Sequence, residues 1–132
     1  MDVEAGAEFL KEKGVKNPHL VGASIGANLA LKYLAEHPES KSAVLLSPGL
    51  DYRGVKTEGI LAKLNNDQAV FAVASEEDKY SFDSVNKLFE GVAFSDLRMM
   101  KIFKDAGHGT AIFEKEPQFM DEIISWIVEI AR

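Results

Sequence analysis

Ser24 lies in Gly22-Ala23-Ser24-Ile25-Gly26, a match to the pattern G-x-S-x-G. A random chain of this length would contain the pattern in roughly one case in twenty-five, so its surroundings carry more weight than the match itself. It falls between a short apolar segment, His19-Leu20-Val21-Gly22, and a run with helical spacing that starts at Ile25. A strand that turns sharply into a helix at a serine exposes the hydroxyl above the sheet as a nucleophile elbow. Bulky side chains at the flanking positions 22 and 26 are expected to collide with the neighbouring strand or helix, which accounts for the two glycines. The helix that follows aims its first amides at the same place, so the backbone N–H of Ile25 is the expected oxyanion donor.

A serine hydroxyl needs a base to take its proton. Three histidines are available. His19 opens an apolar segment and reads as a packing or boundary residue, and His37 closes a helix just before Pro38, where a partly cationic ring suits the helix dipole. His108 stands in Asp105-Ala106-Gly107-His108-Gly109, a glycine-flanked loop between the last strand and the last helix. Loops at the C-terminal ends of parallel strands are where sites form in α/β sheets, and His108 is the expected base.

The base in turn needs a carboxylate to hold its tautomer and stabilise the imidazolium. Asp78 follows the third apolar run in Ser75-Glu76-Glu77-Asp78 and is the expected acid. Glu76, Glu77 and Asp83 compete with it within a few residues, and an acidic solvated loop is the plainer reading of the cluster. The chain order Ser24, Asp78, His108 is nevertheless one in which a parallel-sheet fold presents such a set.

The elements that must position these residues alternate along the chain. Residues 2–13 put Val3, Ala7 and Leu10 on one helical face, with Gly14 as a stop. After Asn17-Pro18 comes the short strand 19–22, then a helix from Ile25 to His37 with Ala27, Ala30, Leu31 and Leu34 on one side. Ala43–Leu46 and Ala69–Ala74 are continuous apolar runs, the pattern of parallel strands covered on both faces. About twenty residues join them, with a short helix expected around 57–64. A helix near 81–90 and a more polar strand near 97–103, suited to a sheet edge, come next. The last helix, about 117–131, opens on Pro117 and carries Phe119, Met120, Ile123, Ile124, Ile127 and Val128 as its expected sheet-covering stripe. Strands separated by helices imply right-handed crossovers, so the expected fold is a single α/β domain over 1–132, a short parallel sheet of about four strands flanked by helices.

Composition narrows the chemistry. The 132 residues are 46% hydrophobic and 27% charged, with a net charge of −6 spread along the chain, which disfavours nucleic acid or an anionic membrane surface as partner. With no cysteine there is no disulfide, thiolate metal site or thiol nucleophile. No His/Asp/Glu cluster has metal-ligand spacing, and Gly22 and Gly26 fit neither a P-loop nor a dinucleotide fingerprint, so neither metal nor cofactor is expected. The opening residues Met1-Asp2-Val3-Glu4 do not read as a secretory signal, and a cytoplasmic location is the expectation.

The segments LVGASIGANLAL, AVLLSPGLDYRG, VASEEDKYS and DAGHGTAIF together resemble the C-terminal catalytic portion of α/β-hydrolases related to dienelactone hydrolases and small carboxylesterases. The resemblance runs over nearly all of residues 18–130 and implies Ser24 as nucleophile, Asp78 as acid and His108 as base in ester or thioester hydrolysis. Full-length members of that group carry several strands before the elbow strand, one of whose loops donates the second oxyanion amide. Only one helix precedes the elbow here, so the expectation is a minimal core with an incomplete oxyanion hole and an apolar, unpaired edge on the elbow strand. Such an edge invites another chain, and a homodimer through it is expected. No sizeable insertion follows the second strand, which favours small, short-chain acyl esters as substrates. The rival expectation is a non-catalytic interaction module or one half of a split hydrolase.

Overall fold

The computed structural model describes residues 2–132. In chain order the elements are α1 (Asp2–Glu12), β1 (His19–Ala23), α2 (Ile25–Glu36), β2 (Ser42–Leu46), β3 (Asp51–Tyr52), β4 (Val55–Lys56), a 3-10 turn (Leu61–Lys63), β5 (Ala69–Ser75), α3 (Lys79–Leu88), β6 (Arg98–Phe103), α4 (Ala111–Lys115) and α5 (Phe119–Ile130). Four strands form one parallel sheet in the order β1-β2-β5-β6, and β3 and β4 form a separate antiparallel ribbon. The fold is therefore α/β, as the alternating pattern predicts. Among the described residues, no helix is long and apolar enough to cross a membrane.

The apolar runs of β2 and β5 are buried along their whole length because they lie in the middle of the sheet with helices on both sides. On one face Ala43, Leu45, Val70, Ala72 and Ala74 pack against Ala27, Ala30, Leu31 and Leu34 of α2 and against Val85 and Leu88 of α3. On the other, Val44, Leu46, Phe71 and Val73 meet Ile112, Phe119, Ile123 and Trp126. The small residues Ala72 and Ala74 let the two helices on the first face approach the sheet closely, whereas Phe71 fills the second face edge-on to Phe119 and Trp126. The more polar β6 takes an edge, as expected.

Three elements depart from the sequence reading. The connection after β2 holds a two-stranded hairpin in place of a helix over 57–64, and only the 3-10 turn at Leu61–Lys63 is helical. Its turn residues Arg53 and Gly54 both have positive φ, 52° and 84°, the geometry that keeps a two-residue hairpin in line with the strand twist. Asp51 Oδ1 accepts the Gly54 N–H at 2.7 Å and closes the turn. An arginine is an unusual occupant of such a position, which hides the turn from pattern reading.

The C-terminal helix is broken: α4 covers 111–115, and α5 begins at Phe119, beyond Pro117. The stripe of α5 is also rotated from the expected one. Phe119, Ile123 and Trp126 face the sheet, while Met120, Ile124 and Val128 are exposed. Two polar contacts set this rotation by drawing the helix toward β6: Trp126 Nε1 donates to the Asp96 carbonyl at 2.8 Å, and Lys101 Nζ meets Glu122 Oε2 at 2.6 Å. In α1 only Ala7 is buried, so Leu10 does not serve as the core contact its spacing suggested.

Candidate active site

Ser24 follows the last residue of β1 and precedes α2, with φ 56° and ψ −124°. A non-glycine residue with positive φ is strained, and the surroundings must hold it there. The Ser24 N–H donates to the Leu46 carbonyl at 2.9 Å, tying the turn to the end of β2. Gly22 is the steric key. A Cβ there would stand 2.2 Å from the Gly26 carbonyl oxygen and 2.7 Å from the Ala27 nitrogen. The expectation for Gly26 fails: a Cβ at that position meets nothing within 4 Å. What matters at 26 is the backbone that covers Gly22, not the missing side chain. Ile25 is the first residue of α2, so its N–H is among the donors that a helix start leaves for an outside acceptor.

The structure separates the four competing carboxylates. Asp78 Oδ2 lies 2.5 Å from His108 Nδ1, and Asp78 is mostly buried, with 19% of its side chain exposed. Glu77 accepts the Gly107 N–H at 2.6 Å instead, Asp83 pairs with Lys79 at 3.0 Å within α3, and Glu76 is exposed. Asp78 is the residue before α3, so it leaves β5 at the C-terminal end of the sheet and faces the next loop.

His108 occupies that loop between two glycines of positive φ. Three of the loop's backbone N–H groups are held by side chains from strand ends: Ala106 donates to Ser75 Oγ at 2.9 Å, Gly107 to Glu77 at 2.6 Å and Gly109 to Ser47 Oγ at 2.8 Å. The loop's far end packs toward the elbow, since a Cβ on Gly109 would lie 3.6 Å from the Ala23 Cβ. A hydrogen bond with Asp105 raises the pKa of Glu77, so the two carboxyl groups favour sharing a proton.

The other two histidines have structural partners. His19 Nδ1 is 2.6 Å from Ser42 Oγ, and His37 stacks on Tyr33 at 3.7 Å between ring centroids while its Nδ1 contacts the Tyr33 carbonyl at 2.9 Å.

Several residues at the site escape sequence reasoning. Ser47, buried and itself at φ 53°, ends β2 and holds the histidine loop. Asn28 of α2 accepts the Gly49 N–H at 3.0 Å and donates to the Val55 carbonyl at 2.8 Å, fastening the hairpin to the elbow helix. Tyr52 on β3 places its ring edge-on to His108 at 6.4 Å, and its hydroxyl is 3.0 Å from Ser81 Oγ. A polar residue inside an otherwise apolar helix face was the available signal for Asn28; for Tyr52 and Ser47 the sequence offers none.

No protein-family model and no curated protein sequence matches the chain. Solved structures do. The esterase domain of a Rhodothermus marinus protein aligns with a TM-score of 0.64 at 15% identity, covering 81% of this chain and 57% of its own. A Pyrococcus furiosus esterase aligns with a TM-score of 0.71 at 15% identity, covering 97% of this chain and 60% of its own. The chain thus has the parallel-sheet fold found in these esterases and spans about 60% of the length of the second.

Proposed function

We propose that the chain is a serine carboxylesterase acting on small, short-chain acyl esters through an acyl-enzyme intermediate. The observation that carries this reading is the Asp78 carboxylate 2.5 Å from His108 Nδ1, in a loop packed against the turn that holds Ser24 at positive φ. With Nδ1 engaged by Asp78, Nε2 is the nitrogen left to take the Ser24 proton. Ser24 Oγ attacks the ester carbonyl, the Ile25 N–H binds the developing oxyanion, and His108 returns the proton to the departing alcohol. Water then repeats the cycle on the acyl-serine. The short connection after β2, folded into a hairpin, leaves the site without a large cover, which favours small substrates.

The test is hydrolysis of a short-chain p-nitrophenyl ester series by wild type and Ser24→Ala. Turnover by wild type with loss to background in the variant supports the reading; equal inertness of two folded preparations overturns it.

A second reading has its own observation. β1 is an edge strand whose Val21 is 54% exposed, beside a groove of about 430 Å³ lined by Phe9, Leu10, Leu20 and Val21. We propose that this edge pairs with a second copy, so that association and catalysis are separate properties of the chain.

A further inference from the structure

We propose that Tyr52 is a fourth catalytic residue, whose hydroxyl donates a hydrogen bond to Ser24 Oγ. The inference rests on the esterase reading and adds a residue to it. Tyr52 reaches the site from the hairpin, not from a strand end, and its ring is fixed on several sides. Tyr80 meets it edge-on at 5.5 Å and His108 at 6.4 Å. Gly49 leaves room for it: a Cβ there would stand 2.7 Å from the Tyr52 ring and 2.7 Å from the Tyr80 ring. Tyr80 in turn clamps the hairpin, its hydroxyl bonding both the N–H and the carbonyl of Asp51 at 2.9 Å.

The Tyr52 hydroxyl has three polar neighbours. Ser81 Oγ lies at 3.0 Å, the Ser47 carbonyl at 3.5 Å, and the Ser24 side chain also lies within its hydrogen-bonding range. Ser81 is fully buried and can donate either to the Ser47 carbonyl at 3.2 Å or to the Tyr52 oxygen. When Ser81 donates to Tyr52, the phenolic proton is released to point at Ser24. The network thus has an arrangement in which each hydroxyl donates once and the last donor faces the nucleophile.

Charge on Ser24 Oγ grows twice in the cycle, as His108 removes its proton and again as it is expelled from the acyl-serine. A donor at Oγ stabilises both moments and keeps its own proton throughout; the proton that moves passes from Ser24 to His108 to the leaving alcohol. Burial, reinforced by the nearby charge of Asp78, raises the Tyr52 pKa, so the phenol remains a donor at neutral pH.

The experiment compares wild type, Tyr52→Phe, Ser81→Ala and Ser24→Ala by the rate of covalent labelling with a fluorophosphonate and by kcat and KM for p-nitrophenyl acetate. Tyr52→Phe keeps the ring and its packing, and Ser81→Ala removes only the group that orients the hydroxyl. The expected result is a fall of about tenfold or more in labelling rate and kcat for Tyr52→Phe, with KM and melting temperature little changed. Ser81→Ala should show a smaller fall in the same quantities. Labelling of Tyr52→Phe at the wild-type rate, with Ser24→Ala unlabelled, overturns the inference and leaves the esterase reading standing. A wild type that is folded but neither labels nor turns over overturns both.

Discussion

Gly22 lies so close beneath the Gly26 carbonyl that a methyl group on it would stand 2.2 Å from that oxygen. The contact is backbone against backbone, where strand β1 and helix α2 diverge from Ser24, so neither side can yield without moving the nucleophile. Gly22→Ala is accordingly expected to destabilise the fold by about 3 kcal/mol or more, as severe overpacking does. Gly26→Ala meets open space and replaces a glycine in the first turn of α2, so it should be neutral or stabilising by about 0.5–1 kcal/mol. Urea unfolding of the two variants checks the contrast. A Gly22→Ala protein as stable as wild type would remove the steric account of the elbow.

The carboxylate on His108 can be tested against its neighbour. Asp78→Asn places an amide where the imidazole Nδ1–H needs an anionic acceptor, and kcat should drop by about 10³–10⁴. Asp83→Asn loses only an exposed pair with Lys79 and should keep the wild-type rate. Steady-state kinetics on both variants decides. Equal rates for Asp78→Asn and wild type would take Asp78 out of the mechanism.

His19 gives the fold an acid-sensitive point away from the site. Burial lowers its pKa, so the native state favours the neutral ring. Its contribution is complete above the ordinary histidine pKa of about 6.5 and is lost as pH falls from there through the lowered native value. Chemical denaturation at a series of pH values should show wild type losing stability over that interval more steeply than His19→Gln. Parallel curves for the two proteins would show that another group is responsible.

The free edge of β1 makes a prediction about mass. Light scattering at micromolar concentration should give a dimer, and Val21→Lys, which puts a charge on the exposed face of the edge strand, should give a monomer. A monomeric wild type would end the pairing proposal.

Sequence patterning conveyed the sheet well and the site's supports poorly, for a physical reason. The strands β2 and β5 announce themselves as unbroken apolar runs because both faces are covered, and Gly22 is demanded by a contact only four residues away. Asp78 could not be told from Glu76, Glu77 and Asp83 by type or spacing. Their difference lies in which direction each side chain leaves the turn after β5. The hairpin at 51–56 was hidden because Arg53 occupies a positive-φ position that residue preference assigns to asparagine or glycine. The exposed stripe of α5 was misread because helical spacing alone shows two apolar faces there, and the choice between them is made by Trp126 and Glu122 reaching toward β6. Ser47 and Tyr52 matter through contacts more than twenty residues distant, which no local pattern encodes.

The site residues are distributed unevenly over the sheet: Asp78 and His108 leave the adjacent strands β5 and β6, Ser24 leaves β1, and β2 stands between them with Ser47 at its end. The two halves of the chemistry therefore belong to different stages of assembly. Docking of β6 on β5 suffices to bring acid and base together, but the nucleophile arrives only when β1 has zipped onto β2. A refolding chain can hold an oriented imidazole before it has anything to deprotonate, and reactivity at Ser24 becomes a marker of the last parallel pairing to close.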